Sequence, residues 1–447
     1  MRTWIPGRRP STPRARTLAP ALALAALALV ALGLAWLSGC GGIDPLQPGP
    51  LSTGSADFTT YVNIGTSITA GYQSNGWVED FQKLSAPQLI ANQVGKGATF
   101  AQPLLASPGL PPVLQLVTLV PLVMQPRPGT PPTRPSVPRP ASGYGNLAIP
   151  GETIGGALST LSGGLRDVVL QGRGTVIRQC LAQKPTFVSV ELGANEALGG
   201  VINADSLHLA PLSIFSALYT ALMDSLVAGA PRAKLAVMNV PGVTSIPFAT
   251  TVPISVDIPA GVQGSTIAVR LRDRFGPLAD DALVTLRGSA LVKQGYGLPG
   301  GAPPLPDSVV ITHDERLAIE RRIVGFNAVI AAQAAARGAA LVDVNALLAR
   351  IAANGVEIGG TTYSAQYISG GIFSLDGIHP SSLGSGILAN EFILAIDAAF
   401  GADIPLVDLR LIADLAAGDG VPLAPLAGAD PASCEPGWPG QMARAVR

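Results

Sequence analysis

Five short apolar segments, four of them halted by glycine or proline, recur along this chain with helical stretches between them. That alternation limits the possible folds more than any other feature. Residues 59–64 are rich in β-branched side chains and stop at Gly65. Residues 146–149 stop at Pro150-Gly151, residues 187–192 at Gly193, and residues 234–240 at Pro241-Gly242; residues 340–344 complete the set. Runs of this length and composition read as buried strands. Between them, residues 205–228 have helical content, and Thr312 with Glu315 forms a capping-box pattern. Ile319, Ile323, Phe326 and Ile330 then share one helical face, and residues 382–400 read as a final helix. Strand–helix alternation implies a parallel sheet covered on both faces, with ligands bound beyond the carboxyl ends of the strands.

Two stretches break this rhythm. Residues 103–140 hold 12 of the chain's 40 prolines, which argues against regular structure there. Residues 243–310 contain strand-like pieces such as Ser265-Thr266-Ile267-Ala268-Val269, and read as a β-rich insertion. Either insertion can wall a site or form surface loop. Leu104, Leu105, Leu114, Leu116 and Val117 of the first are apolar enough to line an acyl pocket or to pack the core. The expected organisation is a leader over 1–39, a tether over 40–57, an α/β domain over 58–400 and an irregular tail over 401–447.

The N-terminus reads as an address. Arg2, Arg8, Arg9, Arg14 and Arg16 precede an apolar run from Ala21 to Leu37, as in a secretory signal. The run ends in Leu37-Ser38-Gly39-Cys40, which resembles the lipobox of bacterial lipoproteins. That resemblance implies cleavage before Cys40, lipidation of its thiol, and a membrane-anchored protein of the cell envelope, in the outer membrane if the host is Gram-negative. The other reading is a membrane anchor that is never cleaved. No later apolar run reads as a membrane span. The Gly-, Pro- and Ser-rich stretch to about Asp57 reads as a tether.

Charge excludes one class of partner. The chain has 29 basic and 29 acidic residues, but five of the arginines lie in the leader, leaving a net of −5 over residues 40–447. A surface without basic excess is ill suited to neutralise phosphates, so no nucleic-acid partner is expected. Three cysteines and three histidines argue against a disulfide scaffold and a multi-His metal site.

The chemistry sits at strand ends. Gly65-Thr66-Ser67-Ile68-Thr69 follows the first strand and puts the Ser67 hydroxyl at the start of a helical turn. Backbone N–H groups there can stabilise an oxyanion, although an N-cap serine gives the same pattern. Gly151 follows the second strand and can lend an N–H; turn chemistry after Pro150 is the plainer explanation. Asn195, after the third strand, offers a neutral amide donor, or is an ordinary turn asparagine. Asp376-Gly377-Ile378-His379-Pro380-Ser381 precedes the last helix. If Gly377 lets that loop curl, the carboxylate can fix the tautomer of the imidazole, whose other nitrogen can face a serine.

In that order, Gly-Thr-Ser, Asn-x-Ala-x-x-Gly, Gly-Ala-Asn-Glu and Asp-x-x-His-Pro, each at a strand's end, resemble the SGNH (GDSL-type) hydrolase family from about Phe58 to Phe400. The resemblance implies a flavodoxin-like three-layer α/β/α sandwich with about five parallel strands. It also implies hydrolysis of small-molecule or lipid-like carboxylic esters without metal or organic cofactor. It makes Ser67 the nucleophile, His379 the base and then acid, and Asp376 its orienting partner. Ser67 N–H, Gly151 N–H and the Asn195 side chain would form the oxyanion hole. Two positions depart from the family pattern: Thr66 stands where Asp usually precedes the serine, and Glu196 where Asp often follows the asparagine. These departures and the insertions leave two alternatives: a binding lipoprotein with weak or no activity, and an O-acetyl esterase or acyltransferase acting on polysaccharide. His208 and His313 read as surface or packing residues, and a disulfide between Cys180 and Cys434 is left open.

Overall fold

The computed structural model describes Met1 and residues 51–119, 122–259 and 266–416. The leader, Cys40, most of the tether, Cys434 and the last part of the tail lie outside the described residues. Four strands form the central sheet: β1 (Tyr61–Gly65), β2 (Phe187–Glu191), β3 (Lys234–Met238) and β4 (Ala340–Val342), all parallel, in the order β1-β2-β3-β4. β1 and β2 are buried at every residue, as strands covered on both faces must be.

The second expected strand is not a regular strand. Residues 145–149 run parallel beside β1, and Asn63 N–H donates to the Gly145 carbonyl at 2.8 Å. Leu147 N–H then donates to the Asn63 carbonyl at 2.8 Å and Ile149 N–H to the Gly65 carbonyl at 3.0 Å. The Asn146 side chain bends this segment by accepting Ala148 N–H at 3.1 Å, and Pro150 ends it. With it the spatial order is second-first-third-fourth-fifth in sequence, the doubly wound order. Its crossover reverses between β1 and β2, which is where such sheets bind ligands.

Seven helices matter for the site: α1 (Ser67–Ala70), α2 (Ala86–Gln93), α3 (Ala194–Ile202), α4 (Leu212–Gly229), α5 (His313–Arg337), α6 (Ser382–Phe400) and α7 (Leu409–Ala416). On one face α4 packs on α5, with Phe215 stacked on Phe326 at 3.9 Å between centroids. The expected face of α5 is buried at Ile319, Ile323, Phe326 and Ile330, and its Thr312–Glu315 capping box is formed. On the other face α6 packs against β3, β4 and α2, burying Ile387, Phe392, Ile393 and Ile396. By length and composition α6 and the segment Ser206–Gly229 are each apolar enough to cross a membrane, contrary to the sequence reading. Their apolar character serves the sheet: α6 is mostly buried, and α4 buries Phe215, Tyr219, Leu222, Met223 and Leu226.

Four further expectations need correction. Residues 103–140 contain an antiparallel hairpin, Leu114–Leu119 with Leu122–Pro126, because only Pro121 interrupts residues 113–125. Its Leu105 and Leu114 are core residues, while Val117 is exposed. The part of the tether from Ser52 to Ala56 is docked: Ser52 bridges Asp403, Ser55 N–H donates to the Phe400 carbonyl at 2.9 Å, and Ala56 is buried. The stretch after Phe400 is not wholly irregular, since α7 packs on α6 through Ile412, Ala413 and Ala416. The 243–310 insertion holds the hairpin Ser255–Pro259 and Thr266–Arg270, but short helices such as Pro247–Thr250 and Ser289–Lys293 make it mixed where a β-rich segment was expected.

Candidate active site

β1 ends at Gly65, Thr66 is extended, and Ser67 opens α1. The first N–H groups of a helix have no intrahelical acceptor, so they are available to a ligand there. α1 closes at Gly71, whose φ of +74° is the left-handed cap. A hairpin follows, Tyr72–Gln73 paired with Gly76–Trp77, with Ser74 and Asn75 at φ +51° and +58°. Two successive positive φ values make the tight turn that joins antiparallel strands.

That turn grips the loop before α6. Ser74 N–H donates to Ser374 Oγ at 2.9 Å, and Leu375 N–H donates to Ser74 Oγ at 3.3 Å. Asn75 N–H donates to Asp376 Oδ2 at 2.9 Å. The loop curls on itself as well: Ile378 and His379 N–H both donate to Asp376 Oδ1 at 2.9 Å. Gly377 has a φ of +69°, and a Cβ there would lie 2.8 Å from Leu286 and 3.1 Å from the Phe248 nitrogen. Phe248 N–H also donates to the Gly377 carbonyl at 2.8 Å, so the 243–310 insertion holds this loop from the outside.

The result is a hydrogen-bonded chain of three side chains. Asp376 Oδ2 lies 2.9 Å from His379 Nδ1, and His379 Nε2 lies 2.9 Å from Ser67 Oγ. The expected trio is thus brought together from two ends of the domain. All three are buried, with Ser67 at 6% exposure. Burial by itself pushes the Asp376 carboxyl upward. The His379 imidazole and the N–H donors of His379 and Asn75 outweigh it and hold the group down at about 2. Asp376 therefore stays anionic. Tyr72 packs its ring edge-on against the imidazole at 4.9 Å between centroids.

The other expected residues lie on neighbouring turns. Asn195 stands in the first turn of α3, after Gly193 at φ +124°. Its Nδ2 donates to the Glu152 carbonyl at 2.7 Å, which ties it to the turn containing Gly151 at φ +79°. Glu196 binds the same turn from the next position, with Oε1 accepting Ile154 N–H at 2.7 Å. The longer carboxylate thus bridges the segments of Asn195 and Gly151. Burial, with Glu152 nearby, pushes Glu196 up to about 7 against the pull of its N–H donors. Glu152 is itself fully buried and meets Arg166 in a two-pronged ion pair, both contacts 2.9 Å.

One group escaped the sequence reading. Glu191, the last residue of β2, is 1% exposed and faces the turn before Ser67. Its Oε2 accepts Thr66 N–H at 2.8 Å and the Thr66 hydroxyl at 2.8 Å; Thr69 Oγ1 donates to it at 3.2 Å. Burial pushes its carboxyl up to about 7, against the pull of those donors. The signal was available: a lone acidic residue inside an otherwise buried strand is rare unless it has partners. Asn63, Asn146, Ser189 and Tyr61 continue this hydrogen-bonded network across the sheet.

His208 and His313 sit away from this cluster, beside Asp205 and Asp281. Cys180 is buried, which pushes its thiol up to about 12; its suggested partner Cys434 lies outside the described residues. Among the described residues, no group of three or more His, Cys, Asp or Glu side chains is placed to hold a metal ion.

The sequence matches the profile of GDSL-like lipases/acylhydrolases over residues 61–392. No curated protein matches the chain. Among solved structures, it is similar to an extracellular lipase from Streptomyces rimosus, at 15% identity and a TM-score of 0.33, covering 76% of this chain and 98% of that one. It is also similar to a lipase/acylhydrolase from Enterococcus faecalis, at 13% identity and a TM-score of 0.33, covering 77% and 100%. An acetyl-xylooligosaccharide esterase variant from Geobacillus is 13% identical with a TM-score of 0.32, covering 75% and 93%.

Proposed function

The chain belongs to the GDSL-like lipase/acylhydrolase family and is an ester hydrolase, and from that premise we propose that it works through Ser67, His379 and Asp376 while anchored to the cell envelope by lipid on Cys40. The chain of contacts from Asp376 through His379 to Ser67 carries the reading, because both lie at hydrogen-bond distance, 2.9 Å, and an anionic Asp376 favours the tautomer the chemistry needs. An ionised Asp376 accepts from Nδ1–H and leaves Nε2 as the acceptor facing the serine. As Ser67 Oγ attacks the ester carbonyl, its proton passes to Nε2. The oxygen of the former carbonyl takes up negative charge beside the N–H of Ser67, the N–H of Gly151 and the Asn195 amide. Collapse expels the alcohol, which receives the proton from Nε2. Water, deprotonated by the same nitrogen, then releases the acid from the acyl-enzyme and restores Ser67.

The anchor reading rests on the basic flank, the apolar run and Leu37-Ser38-Gly39-Cys40. A diacylglyceryl thioether, with about 0.8 kcal/mol per buried CH2, would hold the chain firmly at the membrane surface.

The test is hydrolysis of short and medium p-nitrophenyl esters by the purified full chain, compared with Ser67→Ala, together with labelling by a fluorophosphonate probe. Hydrolysis and labelling are expected to disappear in Ser67→Ala. Equal rates in both proteins would remove Ser67 as nucleophile. For the anchor, Cys40→Ser is expected to move the protein from the membrane to the soluble fraction.

A further inference from the structure

The motif turn lacks its usual acid, yet it does not lack a carboxylate. Thr66 occupies the position of the Asp in the family pattern. From the adjacent strand Glu191 reaches that same residue, accepting its backbone N–H at 2.8 Å and its hydroxyl at 2.9 Å and 2.8 Å through the two carboxylate oxygens. Thr66 donates twice, so its hydroxyl and its main chain are both fixed. Thr69, in the last positions of α1, donates to the same oxygen and receives from Asn63 Nδ2 at 3.2 Å. Glu191 therefore holds the short helix at both ends of the segment carrying Ser67. Gly65 keeps room for it: a Cβ there would lie 2.1 Å from Thr69 Oγ1 and 3.1 Å from Glu191 Oε2.

We propose that Glu191 is a positioning residue for the nucleophile, supplying from the neighbouring strand the hydrogen-bond acceptor that fixes the turn before the serine, and that Thr66 is its required donor. The argument is geometric. Ser67 is one peptide unit from Thr66, so the direction of its Oγ and of its N–H follows the orientation of the Thr66 turn. With Glu191 bonded to both Thr66 donors, that turn has one setting. A displacement of about 1 Å at a nucleophile lowers turnover about 10²-fold.

The inference rests on Ser67 being the nucleophile, and variants of Glu191 and Thr66 that leave Ser67 in place test it separately. In steady-state hydrolysis of p-nitrophenyl esters by the full chain, Glu191→Gln is expected to lower kcat about 10- to 100-fold with KM within about twofold. Thr66→Val, which removes the hydroxyl at nearly constant volume, is expected to follow it, and Thr66→Ser to stay near the parent. Melting curves identify any variant that has not folded; if Glu191→Gln is one, the Thr66 series still decides.

Parental kcat in a folded Glu191→Gln or in Thr66→Val overturns the proposal. Those outcomes, with Ser67→Ala inactive, leave the triad intact. An active Ser67→Ala would overturn the triad instead.

Discussion

The backbone N–H of Asn75 donates to Asp376 Oδ2 at 2.9 Å, the same oxygen that faces His379 Nδ1. A residue eight positions after Ser67 thus orients the carboxylate that orients the imidazole. The Ser67 segment and the histidine loop are locked together at their far end as well as where Ser67 Oγ meets His379 Nε2.

Asp376→Asn replaces a group with three N–H donors around it by one that must present an NH2 to some of them. The imidazole then loses its fixed tautomer, and kcat is expected to drop about 10⁴-fold. Stability changes with a definite sign. Asp376 is held at about 2, below its ordinary 3.8, so it stabilises the fold above about 3.8 and that gain is lost as pH falls through about 2. Asp376→Asn should therefore melt below the parent at pH 7, with the gap closing toward pH 2. A gap that is constant with pH would contradict this.

Asn195→Ala removes one donor while leaving the Ser67–His379–Asp376 chain untouched. Loss of a single oxyanion donor costs about 10²–10³ in kcat, with KM little altered, because the interaction strengthens only as charge develops. Stopped-time assays with a p-nitrophenyl ester decide it; a change confined to KM would place Asn195 in substrate binding.

Much of this was legible in the sequence, and the reason is local. Gly65, Gly193 and Gly377 adopt backbone settings or allow approaches that a side chain would obstruct, and they flank Ser67, Asn195 and His379. Helices α5 and α6 were legible from a capping box and an apolar period. What stayed hidden depends on contacts between distant segments. Nothing near Glu191 shows that its partner is Thr66, because the pairing is made by strand register: Gly65 lies opposite Glu191 across β1 and β2. The hairpin within residues 103–140 was masked by a proline count, which weighs the flanks as heavily as the clear run at 113–120. The docking of Ser52 on Asp403 has no sequence signature at all, since two backbone hydrogen bonds, of 3.4 Å and 2.8 Å, carry it.

Arg166→Ala tests the support behind Asn195. Glu152 is fully buried and, among the described residues, meets this guanidinium alone as a charge partner, through contacts of 2.9 Å to Nε and Nη2. Removing the partner of a buried charge typically costs about 3–5 kcal/mol; Arg166 is a quarter exposed, so a value near the lower end is expected. The Glu152 carbonyl holds the Asn195 amide, so kcat should fall with stability. Arg166→Lys restores charge without the two-pronged geometry and should recover only part of each loss. Unchanged melting would show that the pair contributes little.

Glu196→Gln is expected to stabilise the protein, and only above a definite pH. Burial raises the Glu196 carboxyl from its ordinary 4.5 to about 7, so the folded chain keeps a proton that the unfolded chain has released between those values. Stability from this group therefore falls as pH rises from about 4.5 to about 7, and the deficit persists above. One carboxylate oxygen, Oε2, is buried without a partner, so an amide loses no bond there, and the other can still accept Ile154 N–H. At pH 8 the variant should melt about 2 °C or more above the parent, the shift produced by ~1 kcal/mol in a large domain. At pH 4, where the parent carboxyl is already protonated, the two should coincide. Glu191 shifts in the same direction in both proteins and leaves the difference unaffected. An equal gain at both pH values would mean that the amide improves packing and that carboxylate burial is not the cause.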